Sequence, residues 1–294
     1  MTVGEARIQA LEILLSPLST DFNAGGDSPS LDILLILAFY LGVSKTQLLA
    51  HPEMPLGIHE GPFFDAIALR KKGFPVAYIT GTKEFWGLPF KVNPTVLIPK
   101  ADTEILVERA IAVISSLRET QSQSGLREQP VQVLDVCTGS GCIAVALGHS
   151  CPGITITATD ISPEALKVAR ENAANLPILF IESDLRNPFP RKDYYDLIVS
   201  NPPYVPSAAA SALLDDGRGE PLLALDGGED GLDLVRPLIQ NARTALVPGG
   251  TLLVETGEYH AKEAADYLNL SGFIDIVIHK DLEGQDRVIE GRQP

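Results

Sequence analysis

The chain has 294 residues, enough for two domains, and its 45% hydrophobic content is that of a globular protein rather than a disordered one. Acidic residues outnumber basic ones 38 to 23, a formal net charge of −15, which argues against binding nucleic acid by neutralising phosphates. The three cysteines, Cys137, Cys142 and Cys151, are an odd count without a Cys-x-x-Cys pair, so they read as small buried thiols, with no disulfide framework and no metal site expected.

Met1 to Leu15 lacks a basic region followed by an apolar core and a small-residue cleavage site, so no signal peptide is read. Ile8, Leu11, Ile13, Leu14 and Leu15 cluster on a helical face, interrupted afterwards by Pro17 and Gly25-Gly26. Ser30 or Asp32 is placed to cap a second helix running through Leu35, Phe39 and Tyr40 to Gly42. Its apolar run, Ile33 to Leu41, falls well short of the roughly 20 residues needed to span a membrane. A soluble cytoplasmic protein with no membrane contact is expected. Helical patterns around Thr46 to Ala50 and Gly61 to Lys72 complete a small helical bundle over residues 1–75.

Residues 76–99 read differently. Tyr78-Ile79-Thr80-Gly81 and Glu84-Phe85-Trp86-Gly87-Leu88-Pro89-Phe90-Lys91-Val92 are rich in aromatic and β-branched residues and punctuated by Gly and Pro, which predicts a β-hairpin connector. Trp86, the only tryptophan, reads as a packing residue within it. A helix is then expected from Asp102, its N-cap, with Leu106, Ala110, Val113 and Leu117 at helical spacing. Residues 118–130, dominated by Gln, Ser and Glu, read as a loop.

From residue 131 strand and helix alternate. Strands are expected at 131–136, 154–159, 178–181, 195–200, 250–255, 273–279 and 287–290, and helices at 142–149, 163–175, 232–246 and 261–270. That alternation predicts an α/β domain over residues 100–294, built on a seven-stranded, doubly wound, mostly parallel sheet. The last two strands have no helix between them and predict an antiparallel edge.

Two strand ends carry the chemistry. Cys137-Thr138-Gly139-Ser140-Gly141 follows the first strand and opens a helix. Glycines there let the backbone approach a ligand, and the helix N-terminus adds unpaired N–H donors. Asp160 ends the second strand, where a carboxylate can accept from both ribose hydroxyls; Asp184, expected at the end of the third, can accept from an adenine amino group. The glycine turn alone would equally suit an NAD-binding fold.

The fourth strand delivers Asn201-Pro202-Pro203-Tyr204 to the C-terminal edge of the sheet, where open α/β sheets bind ligands. Two prolines stiffen the loop and remove two N–H donors, leaving carbonyls free to face a substrate; Tyr204 supplies a flat wall. An amide or aromatic amine is a poor nucleophile because its lone pair is delocalised. The Asn201 side-chain oxygen and the Pro202 carbonyl can hold its two hydrogens and turn the lone pair toward a methyl sulfonium, acting through orientation and electrostatics.

With those residues in hand, the sequence resembles the N5-glutamine methyltransferases of peptide-chain release factors, the HemK/PrmC family. The likeness runs from about residue 70 to the C-terminus. It is carried by Pro75-Val76-Ala77-Tyr78-Ile79-Thr80-Gly81, Glu84-Phe85-Trp86-Gly87-Leu88, Leu97-Ile98-Pro99, Thr138-Gly139-Ser140-Gly141, Ser200-Asn201-Pro202-Pro203-Tyr204, Glu220-Pro221, the segment Ala224 to Leu232, and Asp286-Arg287-Val288-Ile289. The resemblance implies a class I methyltransferase fold, S-adenosylmethionine as cofactor, and the glutamine of the Gly-Gly-Gln loop of class I release factors as substrate, gripped by Asn201 and Pro202. It implies cofactor contacts from residues 137–141, Asp160, the neighbourhood of Leu185, and Asn201. It also implies a substrate-recognition role for the helical bundle; a monomer is the default expectation. Three sites depart from the family pattern. Leu185 replaces a usual aromatic, Cys137 replaces a usual glycine at little cost if its φ is negative, and Lys100-Ala101-Asp102-Thr103 replaces Arg-Pro-Glu-Thr. Adenine-N6 methyltransferases of DNA or RNA share the Asn201-type loop, but the acid-rich composition opposes that reading. Ribosomal-protein glutamine methylation is a sibling alternative, and a non-catalytic binding module would rest on the departures at Cys137 and Lys100 to Asp102 alone.

Overall fold

The structure is a computed structural model that describes residues 1–16, 28–124, 129–215 and 219–294; the interruptions expected at Pro17 and Gly25-Gly26 lie outside them. The chain divides into two compact units, residues 1–82 together with 211–219, and residues 83–210 together with 220–294.

The first unit is helical. Helix α1 (Val3–Leu15) starts at a capping box, in which the Thr2 hydroxyl accepts from the Glu5 N–H and the Glu5 carboxylate accepts from the Thr2 N–H at 2.8 Å. Helix α2 (Pro29–Leu41) begins after Ser28, earlier than Ser30 or Asp32 would place it, because proline fits the first turn, where no N–H is needed. Asp32 instead accepts from the Arg70 Nε at 2.7 Å. Helices α3 (Lys45–Ala50) and α4 (Glu60–Lys71) follow. Ala6, Ile33, Ile36, Leu37, Phe63 and Ile67 form the core of this unit.

Residues 76–80 do not form the first strand of a hairpin. They make helix α5 (Val76–Thr80), started after extended Pro75 and stopped by Gly81 in the left-handed conformation at φ 69. Val76 and Ile79, three positions apart, pack on the helical core, so burial overrides the β-preference of these residues. The hairpin that does form is shorter: β1 (Thr82–Phe85) pairs with β2 (Leu88–Lys91). Trp86 (φ 55) and Gly87 (φ 69) join them, both left-handed, as a two-residue turn matched to strand twist demands.

In the second unit, helix α6 (Glu104–Ser124) runs through residues 118–124, where a loop is expected from composition. Arg118 ties that stretch down by donating to the Pro152 carbonyl at 2.6 Å. There follow β3 (Gln132–Val136), α7 (Cys142–Ser150), β4 (Thr155–Asp160), α8 (Pro163–Ala173), β5 (Ile178–Glu182) and β6 (Tyr195–Ser200). Helix α9 (Ser207–Asp215), which no periodicity announced, begins in this unit and ends in the first; α10 (Val235–Ala245), β7 (Leu246–Glu255), α11 (Ala261–Leu270), β8 (Ile274–Lys280) and β9 (Asp286–Arg292) complete the second.

The seven strands lie in the order β5-β4-β3-β6-β7-β9-β8, with β9 antiparallel to both its neighbours and the run from β5 to β7 parallel. Because successive side chains leave opposite faces of a strand, two cores result. Val133, Leu197, Val199 and Leu253 pack with α6 and α7 on one face. Leu134, Val136, Ile198, Leu252 and Val254 pack with α10 and α11 on the other. Chain order reverses between β3 and β6, which opens a crevice beyond their carboxyl ends.

Candidate active site

Sheet register assembles the site. Val136 pairs with Thr159 on one side and Ser200 on the other, and Ser200 pairs with Val254. The first residues beyond those pairs, Asp160, Cys137, Asn201 and Glu255, therefore stand along one edge. A cavity of about 520 Å³ opens there. Of the residues picked out from sequence, Cys137, Thr138, Gly139, Ser140, Asp160, Asp184, Leu185, Asn201 and Pro203 line it, whereas Gly141, Pro202 and Tyr204 do not.

The glycine loop is held from below. Asp135 is fully buried, and its Oδ2 accepts from the Thr138 hydroxyl at 2.6 Å and the Ala144 N–H at 3.2 Å. Burial pushes its carboxyl up to about 7. Gly139 sits at φ 54 with nothing within 4 Å of where a Cβ would be, so its open face belongs to the cavity. Gly141, at φ 80, caps α7, and a Cβ there would meet Ala169 of α8 at 3.1 Å; its smallness serves helix packing. Asn172 of α8 also donates to the Ser140 carbonyl at 2.9 Å and to the Lys91 carbonyl at 3.0 Å, joining glycine loop and hairpin.

Cys137 has φ 61. The condition under which cysteine would replace glycine at little cost is thus not met: the residue occupies a left-handed conformation that glycine adopts freely and cysteine adopts under strain. Its thiol is pushed up by burial first, then by Asp160 and Asp135, and the Cys142 thiol is pushed up to about 12, chiefly by burial. Both are poor nucleophiles as they stand.

Asp160 accepts from the Gly139 N–H (2.8 Å) and the Ser162 N–H (2.9 Å) through different oxygens. Each oxygen keeps a lone pair for a further donor. Burial raises its pKa above the ordinary value. Asp184 lies two residues past the end of β5 at Glu182, not at the strand end. Arg186 grips both its oxygens, at 3.0 Å from Nε and 2.6 Å from Nη2, and this pairing holds the carboxyl below the usual range. Leu185 is buried, and its carbonyl accepts from the Asn241 amide at 2.8 Å.

Asn201 donates through Nδ2 to the Thr103 hydroxyl at 3.1 Å. Thr103 closes a 3₁₀ turn (Ala101–Thr103) just before α6 and lines the cavity. The Tyr204 hydroxyl donates to Glu255 Oε1 at 3.1 Å, so its ring backs the loop instead of forming a cavity wall. Glu255 is 1% exposed, and burial pushes it up to about 7. Beyond Tyr204 a second loop clamps the chain: Val205 donates to the Leu225 carbonyl at 2.9 Å, and Gly227 donates to the Val205 carbonyl at 2.8 Å.

Sequence reading assigned Asp135 and Glu255 no site role, and named Thr103 only within the segment that replaces Arg-Pro-Glu-Thr. The cue was present for Glu255, an acidic residue closing the apolar run Leu252-Leu253-Val254, the same sign that marked Asp160. For Thr103 the cue was its retention at the end of the segment that replaces Arg-Pro-Glu-Thr, although a threonine before a helix is by itself an ordinary cap residue.

Residues 118–215 match the methyltransferase small domain family and residues 22–81 the PrmC N-terminal domain family. The chain is 40% identical over 271 residues to the release factor glutamine methyltransferase of Moorella thermoacetica, covering 90% of this chain and 92% of that one. It is 36% identical over 293 residues to the namesake from Deinococcus radiodurans (97% and 99%) and 36% identical over 270 residues to that of Salmonella typhimurium (90% and 93%). Among solved structures, the hMettl16 catalytic domain in complex with MAT2A 3'UTR hairpin 6 is similar in fold, with TM-score 0.52 and 15% identity over 78% of this chain and 81% of that one. A methyltransferase from Pyrococcus furiosus aligns with TM-score 0.50 and 16% identity, over 72% and 91%. Identity at this level along nearly the whole length places the chain in the release factor glutamine methyltransferase family.

Proposed function

We propose that this chain transfers a methyl group from S-adenosylmethionine to the side-chain amide nitrogen of the glutamine in the Gly-Gly-Gln motif of class I release factors. The observation that carries the reading is the orientation of Asn201 at the cavity edge. Its Nδ2 is committed to Thr103, which leaves Oδ1 as an acceptor for an incoming NH₂ group.

The cavity residues fit the cofactor. Asp160 retains acceptor capacity for two ribose hydroxyls, the Gly139 turn is open, and Ile143, Ile161 and Leu185 offer apolar walls for a flat base. The volume falls in the range of small-ligand sites, about 300–1,000 Å³. Asp184, already paired with Arg186, retains unused lone pairs toward an exocyclic amine, though its pairing makes it the weaker candidate of the two acids. When bound, S-adenosylmethionine supplies an electrophilic methyl on a sulfonium. The chain's part is to orient the nucleophile. Asn201 Oδ1 and the Pro202 carbonyl accept the two amide hydrogens, Pro203 lines the approach, and Tyr204, tied to Glu255, stiffens the loop from behind. Two acceptors aimed at the NH₂ group also stabilise the positive charge that grows on nitrogen as the bond forms.

The helical unit, taken as residues 1–75, is assigned recognition of the protein substrate, with 76–99 as a connector and 100–294 as the catalytic domain. A cytoplasmic monomer acting on a protein, with no direct nucleic-acid contact, fits the acid-rich composition. Among the described residues no helix is long and apolar enough to cross a membrane. Incubating the purified chain with S-adenosylmethionine and a class I release factor should add one methyl group to the loop glutamine by peptide mass spectrometry. An unmodified glutamine at full cofactor occupancy would overturn the assignment.

A further inference from the structure

We propose that Leu222 and Leu223 are specificity-determining residues for the protein substrate: held on a strap at the cavity mouth, they form an apolar lip that admits a glutamine only where the residue beside it in the chain is small. The proposal rests on the methyl-transfer reading above and says what that site refuses.

The strap is the segment 220–227, pinned at both ends. At its start Glu220, 8% exposed, accepts through Oε1 from the Lys100 Nζ at 2.7 Å and the Ile98 N–H at 3.3 Å. A buried ion pair adds little net stability, because desolvation offsets its attraction, but breaking it is costly, so it fixes position. Pro221, at φ −67, stiffens the next step of the chain. At the far end Val205, the residue after Tyr204, donates to the Leu225 carbonyl at 2.9 Å and accepts from the Gly227 N–H at 2.8 Å. Asp226 Oδ1 accepts from the Ser207 hydroxyl at 2.6 Å and the Gly228 N–H at 2.9 Å. Between the pins the chain makes a 3₁₀ turn (Leu222–Ala224), whose Leu222 carbonyl accepts from the N–H groups of Leu225 and Asp226, both at 2.9 Å. The strap thus joins residues 98–100 to the Asn201 loop.

Leu222 and Leu223 both line the cavity, yet they are 39% and 58% exposed. A single exposed leucine is ordinary on a protein surface. Two in succession, on a turn held this firmly and tied to the Asn201 loop, leave apolar surface at a fixed place for a ligand to cover. The glutamine side chain is short. When its NH₂ group reaches Asn201, the main chain that carries it lies at the mouth, and the neighbouring residue comes against the leucines. A hydrogen there leaves room. A methyl or larger group competes for space that the leucines fill, and the pinned backbone cannot carry them aside. Asn201 and Pro202 read the amide; the lip reads the size of what stands next to it.

The test pairs the full chain with a class I release factor in two forms, native and with the glycine immediately before the target glutamine changed to alanine. The wild type should favour the native form in kcat/KM by about tenfold or more, the discrimination expected for one added carbon in a packed apolar site. The Leu222→Ala, Leu223→Ala double variant, altered only at exposed side chains, should narrow that ratio to about threefold or less, because it returns the space the methyl needs. Its affinity for S-adenosylhomocysteine, measured by calorimetry, should change by less than about threefold. Glu220→Ala, which releases the first pin and keeps both leucines, should speed amide hydrogen exchange at Leu225 and Asp226 and narrow the ratio in part. Equal use of both forms by the wild type, or an unchanged ratio in the double variant, would overturn the lip and leave the methyl-transfer reading standing. A loss of S-adenosylhomocysteine affinity as large as the loss of turnover would show that the leucines roof the cofactor instead, which also overturns it. Failure of the wild type to methylate either form sinks the substrate assignment and the lip together.

Discussion

Two side chains at the cavity edge are under opposite kinds of constraint. Asn201 is chemically necessary but conformationally ordinary. Asn201→Ala deletes one acceptor aimed at the nucleophile, and kcat should fall by about 10²–10³, or roughly 3–4 kcal/mol, by analogy with the loss of an oxyanion-hole donor. Calorimetry should show a much smaller loss of cofactor affinity; turnover near the wild-type level would contradict the role given to this residue. Cys137 is the reverse, chemically quiet but strained at φ 61. Cys137→Gly should raise stability by about 0.5–1 kcal/mol, the relief of left-handed strain less the entropy glycine adds to the unfolded chain. Cys137→Ala keeps the Cβ and the strain and should gain nothing. Urea denaturation midpoints compare the three, and a lower midpoint for the glycine variant would show that sulfur packing outweighs backbone strain.

At the scale of elements, the Asn201 loop owes its shape to a neighbour distant in sequence. The turn around Gly227 lies against it so closely that a Cβ on Gly227 would fall 2.6 Å from the Tyr204 Cα and 2.9 Å from the Pro203 oxygen. Both are backbone atoms and cannot rotate away. Gly227→Ala should therefore cost about 1–3 kcal/mol of stability as an overpacking change and displace the loop, with turnover reduced at least about tenfold. Gly284 is the control, because its φ of 86 carries strain but its Cβ site is open. Gly284→Ala should lose stability through strain alone, about 1–2 kcal/mol, and leave turnover untouched. Equal kinetic losses in the two variants would disprove the steric account. The helices teach a related lesson. Residues 76–80 carry β-branched and aromatic side chains yet form α5, because Val76 and Ile79 find a buried face at helical spacing. Residues 118–124 are polar enough to read as loop, yet they extend α6, because polar side chains suit a helix turn facing water and Arg118 anchors it.

For the whole molecule, the buried acids set a pH dependence whose sign follows from their direction of shift. Asp135 and Glu255 both rise to about 7, from 3.8 and 4.5. Between the unfolded and folded values the folded state binds more protons, so stability from these groups is greatest at the acid end and declines as pH climbs toward 7. Asp184, Asp226, Asp230, Asp281 and Glu290 are shifted down by hydrogen bonds and ion pairs, and act oppositely: their contribution is lost as pH falls through the acidic range. Stability should accordingly peak at mildly acidic pH. Chemical denaturation between pH 4 and 8 measures the curve, and the Asp135→Asn, Glu255→Gln double variant should flatten its neutral side; an unchanged slope there would mean these acids are ionised in the folded protein.

Much of this molecule was written in local pattern. Strand and helix alternation from residue 131 onward gave the parallel sheet, since burial on both faces of a strand leaves continuous apolar runs that only flanking helices can cover. The glycine turn, Asp160 and Asn201-Pro202-Pro203-Tyr204 were legible because each sits directly at the end of such a strand. What the sequence could not decide was which side chains meet across the sheet edge. Thr103, the loop carrying Asn201 and Tyr204, and Glu255 come from three separate stretches and converge only through strand order and register, and the left-handed φ of Cys137 belongs to a loop that Asp135 holds through Thr138. Those outcomes depend on long-range packing, which no local spacing encodes.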